Sequence, residues 1–238
     1  MDYTFTIIVP VFNEEANLIR LEKELIMYLN NTLVKTKVLF VNDCSTDNSQ
    51  SMIESICHTN VAFDYLLFSE NKGLSAALKA GFDHIDTPLI GYIDADLQTS
   101  PDDFNLLLEH IEDYDLVTGV RVDRQDSLIK KLSSKIANRI RRVFTNDGMQ
   151  DTGCPLKVIR TDYAKRIPMF KGLHRFLPAM ILLQKGTVKQ VPVNHFPRLA
   201  GTSKFGLSKR LLSPLTDCFA YLWMKRKTID YTIKKKSF

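Results

Sequence analysis

The chain has 238 residues, 45% of them apolar and 25% charged, which is the composition of a soluble globular protein rather than a disordered or fibrous one. This length is enough for one large domain or two small ones, and it can bury a core without disulfide bridges. The four cysteines lack the spacing of metal ligands, so we expect reduced thiols in a cytoplasmic protein. We expect neither a signal peptide nor a transmembrane segment, since no apolar run approaches about 20 residues.

Charge is divided unevenly between the two halves of the chain. Residues 1–119 contain 6 Lys and Arg against 20 Asp and Glu, and residues 120–238 contain 26 against 7. The first half therefore carries −14 and the second half +19. A basic half of this size predicts an anionic partner, such as a phosphorylated substrate or a membrane surface, although a solvated basic face is the alternative. Nucleic acid is not expected, because no recognition helix, RNA-binding motif or aromatic platform accompanies the basic residues.

Strands and helices alternate through the first half of the chain. Short apolar runs rich in β-branched residues predict buried strands at residues 5–11, 38–42, 62–69, 88–93 and 116–119. Asn13 is placed to cap the first helix, and Pro101 is placed to open the helix after the fourth strand. The alternation predicts an α/β fold with a mainly parallel sheet.

The second half is less regular and more basic. It predicts a basic helix at residues 127–144, a turn-rich segment at 147–155, strands at 156–159 and 188–196, and a short helix at 176–183. We predict one α/β domain over residues 1–205 and a basic amphipathic C-terminal extension over 206–238. The extension joins a leucine stripe to Trp223 and neighbouring lysines, a pattern that fits either a membrane surface or a contact with another subunit.

Two carboxylates follow the fourth predicted strand, one residue apart, at Asp94 and Asp96. Residues i and i+2 of an extended segment point to the same side, so both side chains can face one point beyond the carboxyl end of the strand. Open α/β sheets bind ligands at this edge, and paired carboxylates suit Mg²⁺ or Mn²⁺ together with substrate phosphates. An acidic turn that caps the next helix is the alternative. The chain has no glycine motif of the dinucleotide-binding or Walker type, so neither a dinucleotide-binding protein nor a P-loop protein is predicted.

Several motifs occur in order along the chain. The first half contains VPVFNEEANL at 9–18, VNDCSTDNS at 41–49, NKGLSAALKAGF at 71–82 and IDADLQTSP at 93–101. These segments resemble the motifs of the family-two inverting glycosyltransferases of the GT-A fold. In the second half, GVR at 119–121, DTGCPLKVIR at 151–160, HRFLPA at 174–179 and VNHFPRLAGTSKFG at 193–206 are similar to the branch typified by dolichyl-phosphate mannosyltransferase and bacterial polyprenyl-phosphate enzymes. The resemblance covers about residues 4–225. It departs from that branch at Phe196, where an arginine is common, and in lacking the transmembrane helices of many relatives.

The resemblance implies a Rossmann-like GT-A sheet and a nucleotide-sugar donor. It implies that Asp96 is a metal ligand, that Asp94 binds either the metal or the ribose, and that Gln98 approaches the sugar or the acceptor. The residues that it implies for the nucleotide pocket are Pro10, Phe12, Asn13, Glu14, Val41, Asp43, Lys72, Ala95 and Arg121. Core packing remains the alternative for Phe12, and a favourable place in the first helical turn remains the alternative for Glu14.

The resemblance also implies a polyprenyl-phosphate acceptor. Arg198 and Lys204 belong to the most diagnostic motif and are expected, with Arg121, to bind phosphate groups, because guanidinium and ammonium groups pair strongly with phosphate. Asp151 is either a base or sugar ligand, or a turn residue. His174 and His195 are expected to be structural hydrogen-bonding residues.

The sequence therefore predicts a metal-dependent enzyme that transfers a sugar to a polyprenyl phosphate with inversion, peripherally bound at the cytoplasmic face of the membrane. Transfer to a glycan hydroxyl is the first alternative. A non-catalytic nucleotide-sugar-binding subunit that serves a separate membrane protein is the second, and a homo-oligomer is a further possibility.

Overall fold

The structure is a computed structural model that describes residues 2–122, 139, 141–198, 209–229, 232–235 and 237. Within the last helix, side chains are described from residue 216 onward. Most of the predicted basic helix at 127–144 and the segment that contains Lys204 lie outside the described residues. Residues 141–145 are helical, as predicted.

The described residues form a seven-stranded sheet whose strand order is β3-β2-β1-β4-β6-β5-β7. All neighbouring pairs in it are parallel except the two pairs made by β6. The mainly parallel sheet predicted from the sequence is therefore confirmed. The strands are β1 (Phe5–Val11), β2 (Thr36–Asn42), β3 (Phe63–Leu67), β4 (Leu89–Tyr92), β5 (Leu116–Arg121), β6 (Lys157–Arg160) and β7 (Val188–Val193).

This topology brings distant parts of the sequence to one edge of the sheet. Because β1, β2, β4, β5 and β7 run in the same direction, the loops that follow them leave from the same edge. The single antiparallel strand, β6, begins at that edge, so the segment just before Lys157 also lies there. We call this the carboxyl edge, and it is where open α/β sheets place their ligands.

Helices cover both faces of the sheet, and several begin or end differently from the prediction. The helix after β4 begins at Asp103 rather than at Pro101, which lies in the preceding turn, and Glu14 rather than Asn13 immediately precedes the first helix. Strand β7 ends at Val193, three residues before the predicted end. The helices are α1 (Glu15–Asn31), α2 (Ser49–Thr59), α3 (Leu74–His84), α4 (Asp103–Leu108), α5 (Thr161–Lys165), a 3-10 helix (Leu173–Phe176), α6 (Leu177–Leu183) and α7 (Lys209–Lys227).

Strand alternation divides the apolar residues into two cores. On β1, Ile7 and Val9 pack with α1 on one face, whereas Ile8 faces α3 and the 3-10 helix on the other. Helix α3 lies very close to the sheet, because a Cβ atom added at Gly81 would come within 2.4 Å of the Ile8 side chain. These two packed layers hold the strands rigidly, so the loops at the carboxyl edge start from fixed positions.

The C-terminal helix α7 packs on the second core through one face. Cys218 and Tyr221 are buried, and the Tyr221 ring stacks on Phe176 with the ring centroids 6.0 Å apart. The opposite face leaves Phe219 62% and Trp223 64% exposed. Among the described residues, no helix combines the length and the apolar character that are needed to cross a bilayer.

Candidate active site

The loops that follow β1 and β2 are joined by polar side chains. The Asn13 backbone N–H donates to Ser45 Oγ at 2.9 Å, and Asn13 Oδ1 accepts from the Thr46 backbone N–H at 2.7 Å. The Glu14 backbone N–H donates to Ser49 Oγ at 3.0 Å. Two predicted nucleotide-pocket residues, Asn13 and Glu14, are therefore held against the loop that follows Asp43.

Asp43 connects the β2 loop to the beginning of helix α3. Its carboxylate accepts hydrogen bonds from Asn71 Nδ2 at 2.9 Å, Lys72 N at 2.7 Å and Gly73 N at 2.8 Å. Both backbone donors lie in the turn that leads into helix α3, which begins at Leu74. Asp43, a predicted nucleotide ligand, therefore ties its own loop to that turn. The Lys72 ammonium is exposed and pairs with Glu70 at 2.6 Å.

Each loop that follows β1, β2 and β4 turns through a left-handed, non-glycine residue. These residues are Asn13, Cys44 and Leu97, with φ values of 51°, 60° and 51°. Asparagine adopts this conformation at low cost, but leucine and cysteine do so rarely. Strained residues of this kind persist where the surrounding structure fixes them, and they cluster at functional sites.

The two predicted metal ligands lie just beyond the end of β4. The strand ends at Tyr92, so Asp94 and Asp96 lie in the loop that follows it, as predicted. Residues 95 and 96 form a turn and not the extended segment that was expected. Asp94 Oδ1 accepts from the Tyr92 hydroxyl at 2.7 Å, and Asp96 Oδ1 accepts from the Gln98 backbone N–H at 3.2 Å. Neither side chain caps helix α4.

Asp94 lies in an electrostatically unusual environment. Burial raises its pKa to about 6, and the neighbouring Asp96 carboxylate contributes to the rise. The Tyr92 hydroxyl and the cations Lys157 and Arg121 act in the opposite direction. The two carboxylates therefore lie close enough for repulsion between their charges, which a divalent cation bound to both would relieve.

Arg121 and Asp151 form a bidentate ion pair at the same edge. Arg121 Nε donates to Asp151 Oδ2 at 2.7 Å and Nη2 donates to Oδ1 at 2.9 Å. The side chains are only 13% and 8% exposed, so little water screens the pair. The structure thus joins two residues for which the sequence predicted separate roles, and Asp151 here orients an arginine.

Loop 194–198 returns from β7 and lies on the loop that contains the two carboxylates. The Phe196 backbone N–H donates to the Gln98 carbonyl at 2.9 Å, and the Asn194 backbone N–H donates to Asp103 Oδ2 at 3.1 Å. Arg198 Nη2 then forms an ion pair with Asp96 Oδ2. An arginine predicted to bind phosphate therefore lies beside a predicted metal ligand.

The other predicted residues that the structure describes lie at or near the ends of β1, β2 and β4. Pro10 and Val41 are paired across β1 and β2, and Phe12 follows β1 half-buried. Ala95 is buried between the two carboxylates. Lys204 lies outside the described residues.

Sequence reasoning missed two residues of the site, Tyr92 and Lys157. Lys157 is 1% exposed, its ammonium donates to the Cys154 carbonyl, and it lies 5.9 Å from the centroid of the Tyr92 ring. Burial lowers the pKa of Lys157 and raises that of Tyr92. Tyr92 precedes Asp94 by two residues, and this spacing is the sequence feature that could have indicated a contact between them. Lysine is rarely fully buried, so no sequence pattern indicated Lys157.

Ser75 and His174 form a polar contact between α3 and the 3-10 helix. Ser75 Oγ lies 2.8 Å from His174 Nδ1 and also accepts from the Gly172 backbone N–H at 3.0 Å. Burial lowers the pKa of His174 to about 3, and the neighbouring Arg175 contributes to the decrease. A neutral imidazole that holds α3 against the 3-10 helix agrees with the structural role expected for this histidine.

The site suits a hard divalent cation. The described residues contain no group of three or more His, Cys, Asp and Glu side chains that could enclose a metal. Mg²⁺ and Mn²⁺ are instead commonly held by one or two carboxylates, with substrate phosphates and water completing the shell. Asp94 and Asp96 provide this donor set.

Comparison with solved structures identifies the fold. Glucosyl-3-phosphoglycerate synthase from Mycobacterium tuberculosis, in complex with Mn²⁺, UDP and glucosyl-3-phosphoglycerate, is similar with a TM-score of 0.72 and 12% identity over 96% of this chain and 81% of that chain. A mannosyltransferase from Pyrobaculum calidifontis, in complex with GDP-Man and Mn²⁺, is similar with a TM-score of 0.68 and 18% identity over 94% of this chain and 65% of that chain. At these identities the likeness concerns the fold, which is GT-A, as the sequence predicted.

Comparison of sequences identifies the family. Residues 6–167 match the profile of glycosyl transferase family 2, and the chain belongs to this family. It is 30% identical over 217 residues to an undecaprenyl-phosphate 4-deoxy-4-formamido-L-arabinose transferase from Edwardsiella ictaluri, which covers 90% of this chain and 67% of that protein. The family predicted from the sequence motifs is thus confirmed.

Proposed function

We propose that the protein transfers a sugar from a UDP- or GDP-sugar to a polyprenyl phosphate, with inversion at the anomeric carbon. The observation that carries the proposal is the convergence of two carboxylates and two arginines at the carboxyl edge, because this set matches a metal-bound diphosphate next to a second phosphate. The similarity to an undecaprenyl-phosphate sugar transferase supports the acceptor. The GT-A neighbours with bound UDP or GDP-Man support the donor.

The donor would occupy the region between the β1 and β2 loops and the carboxylates. Phe12, Asn13 and Glu14 would border the base and ribose, while Asp43 keeps the start of α3 in place. Asp94 and Asp96 would hold Mg²⁺ or Mn²⁺, which stabilises negative charge on the leaving diphosphate. Gln98 follows directly and would approach the sugar.

The acceptor phosphate would lie against the arginines. A phosphate monoester has a second pKa of about 6, so it is mostly a dianion near neutral pH and needs little assistance from a general base. One of its oxygens attacks the anomeric carbon as the bond from that carbon to the diphosphate oxygen breaks, which inverts the configuration. Arg198 and Lys204 would orient the phosphates, and Arg121 is held in place by Asp151.

The nature of the acceptor distinguishes this proposal from transfer to a glycan hydroxyl. A hydroxyl group needs a base to remove its proton, and Asp151 is the predicted candidate. Because both oxygens of Asp151 accept hydrogen bonds from Arg121, its placement favours a role in orienting the arginine.

We further propose that the protein binds peripherally to the cytoplasmic face of the membrane. Support comes from the outer face of α7, where exposed Phe219 and Trp223 lie near Arg226 and Lys227. Phe219 contacts Phe144, next to Val143, which is 79% exposed. Aromatic side chains flanked by cations suit the interface of an anionic bilayer.

The test is a transfer assay with the purified chain, Mn²⁺, a panel of UDP- and GDP-sugars, and undecaprenyl phosphate. We expect one donor to yield a glycosyl phospholipid of the expected mass, with the anomeric configuration opposite to that of the donor. Asp96→Ala serves as the inactive control. Transfer to a soluble glycan but not to the lipid phosphate would favour the first alternative. Donor binding without either transfer or metal-dependent hydrolysis would favour a binding subunit.

A further inference from the structure

The Tyr92 side chain fixes Asp94 relative to the sheet. Tyr92 is the last residue of β4 and only 4% exposed, so its ring belongs to the packed core. Its hydroxyl donates to Asp94 Oδ1 at 2.7 Å. Because Asp94 lies in the following loop, this hydrogen bond connects a loop carboxylate to a rigid element, and it sets the direction of the other carboxylate oxygen.

Lys157 lies against the Tyr92 ring. The two residues face each other in the antiparallel register of β4 and β6. The Lys157 ammonium lies 5.9 Å from the ring centroid, a distance at which a cation is attracted to an aromatic face. The same ammonium donates to the Cys154 carbonyl, in the segment that also contains Asp151. Lys157 therefore links the two sides of the site.

A buried lysine in a central strand requires an explanation. An unpaired ammonium in the interior is costly, and an apolar side chain would fill the same space at lower cost. Lys157 contacts Tyr92, whose hydroxyl donates to Asp94, and it contacts Cys154 in the segment that contains Asp151. These contacts are the feature that an apolar residue could not supply.

We propose that Tyr92 and Lys157 are positioning residues that hold the Asp94 carboxylate in the orientation that binds the divalent cation. The inference rests on the proposed function, since it assigns the support for the metal ligand of that site. Residues that orient a metal ligand through hydrogen bonds typically contribute about 10–100-fold to metal affinity.

The test compares Mn²⁺ affinity in Tyr92→Phe and the wild-type chain. Electron paramagnetic resonance would measure free Mn²⁺ during titration in the presence of UDP, with a parallel series in GDP. We expect an affinity about 10–100-fold lower in Tyr92→Phe. Removing this hydrogen-bond donor also raises the pKa of Asp94, which is about 6 in the wild type, so each titration is run at about pH 7 and at about pH 8.5. Weaker binding that persists at the higher pH, where Asp94 is ionised, reports lost orientation and not protonation, and a loss confined to the lower pH would contradict the inference.

Tyr28→Phe is the matched control. Tyr28 is fully buried and its hydroxyl accepts from Thr32 Oγ1 at 3.0 Å, but it lies near the beginning of β2, at the opposite edge of the sheet. This variant also loses one buried hydroxyl, and its Mn²⁺ affinity should stay within about twofold of wild type. Unchanged or tighter Mn²⁺ binding in Tyr92→Phe would overturn the inference. An absence of Mn²⁺ binding by the wild-type chain in both series would instead refute the metal assignment of the proposed function.

Lys157→Met tests the second half of the inference. Methionine keeps an unbranched stem and removes a positive charge, which at the higher pH, where Asp94 is ionised, should by itself favour Mn²⁺. We expect weaker binding instead, and the double variant with Tyr92→Phe should bind no more weakly than the weaker single variant. Independent, additive losses would show that Lys157 does not act through Tyr92. Should Lys157→Met fail to fold, Tyr92→Phe still decides the role of the hydroxyl.

Discussion

The Arg121–Asp151 pair allows the two interpretations of Asp151 to be separated. Replacing Asp151 with Asn keeps the shape of the side chain but places an amide N–H₂ group against a guanidinium donor. Removing one partner of a buried ion pair costs about 3–5 kcal/mol. The pair is slightly exposed, at 13% and 8%, so we expect the lower end, about 3 kcal/mol in the free energy of unfolding. Urea denaturation near neutral pH measures it.

The transfer assay then distinguishes a positioning residue from a base. Arg121→Lys retains the positive charge but loses the bidentate geometry. If Asp151 acts by holding Arg121, both single variants lose a similar fraction of activity and the double variant loses no more. If Asp151 is a general base, Asp151→Asn should lose far more activity than Arg121→Lys, and the two losses should multiply. For stability, a loss of less than about 1 kcal/mol in the unfolding free energy of Asp151→Asn would refute the value expected for a buried ion pair.

Three further outcomes follow from the geometry. Asp96→Ala should abolish metal-dependent transfer while the circular dichroism spectrum stays unchanged, and activity near wild type would contradict the metal assignment. The wild-type chain should lose up to about 2 kcal/mol more stability than His174→Asn between about pH 7 and pH 5. Burial lowers the pKa of His174 in the folded protein to about 3 from 6.5, so the unfolded chain binds the proton first as the pH falls and the folded state loses stability. Urea denaturation at several pH values measures the difference, and parallel stability profiles for the wild type and His174→Asn would contradict the prediction. Replacing Phe219 and Trp223 together with Ser should reduce sedimentation with anionic vesicles at low salt, and equal pelleting of the wild type with neutral vesicles would argue against the proposed surface.

Local sequence signals were sufficient for the sheet. Strand β1 was predicted at its observed limits, Phe5–Val11, because a short β-branched run between polar segments has few other ways to bury its side chains. The helix after β4 was predicted two residues too early, because a proline in a preferred first-turn position also fits the turn before it. Such differences at element ends reflect hydrogen bonding that the local pattern does not specify.

It was harder to predict which site residues contact one another than to predict which residues belong to the site. Asp94, Asp96, Arg121, Asp151 and Arg198 were each predicted as site residues, and the structure places them at one edge. The pairing of Arg198 with Asp96 spans 102 residues, and no local periodicity encodes which carboxylate an arginine will contact. The same holds for Asp43, whose partners at 71–73 belong to a different loop.

The charge distribution of the sequence and the geometry of the site have a common physical explanation. The acidic half contributes Asp94 and Asp96, and the basic half contributes Arg121 and Arg198, so the site forms where the two halves meet at the carboxyl edge. In the described residues this meeting is an ion pair between Arg198 and Asp96. A divalent cation and an anionic diphosphate would satisfy the same two groups separately, since Asp96 would bind the cation and Arg198 the phosphate. If the proposed function holds, ligand binding would replace the ion pair between Arg198 and Asp96 by one contact to the cation and one to the phosphate, which would limit the electrostatic cost of assembling these charges in one place.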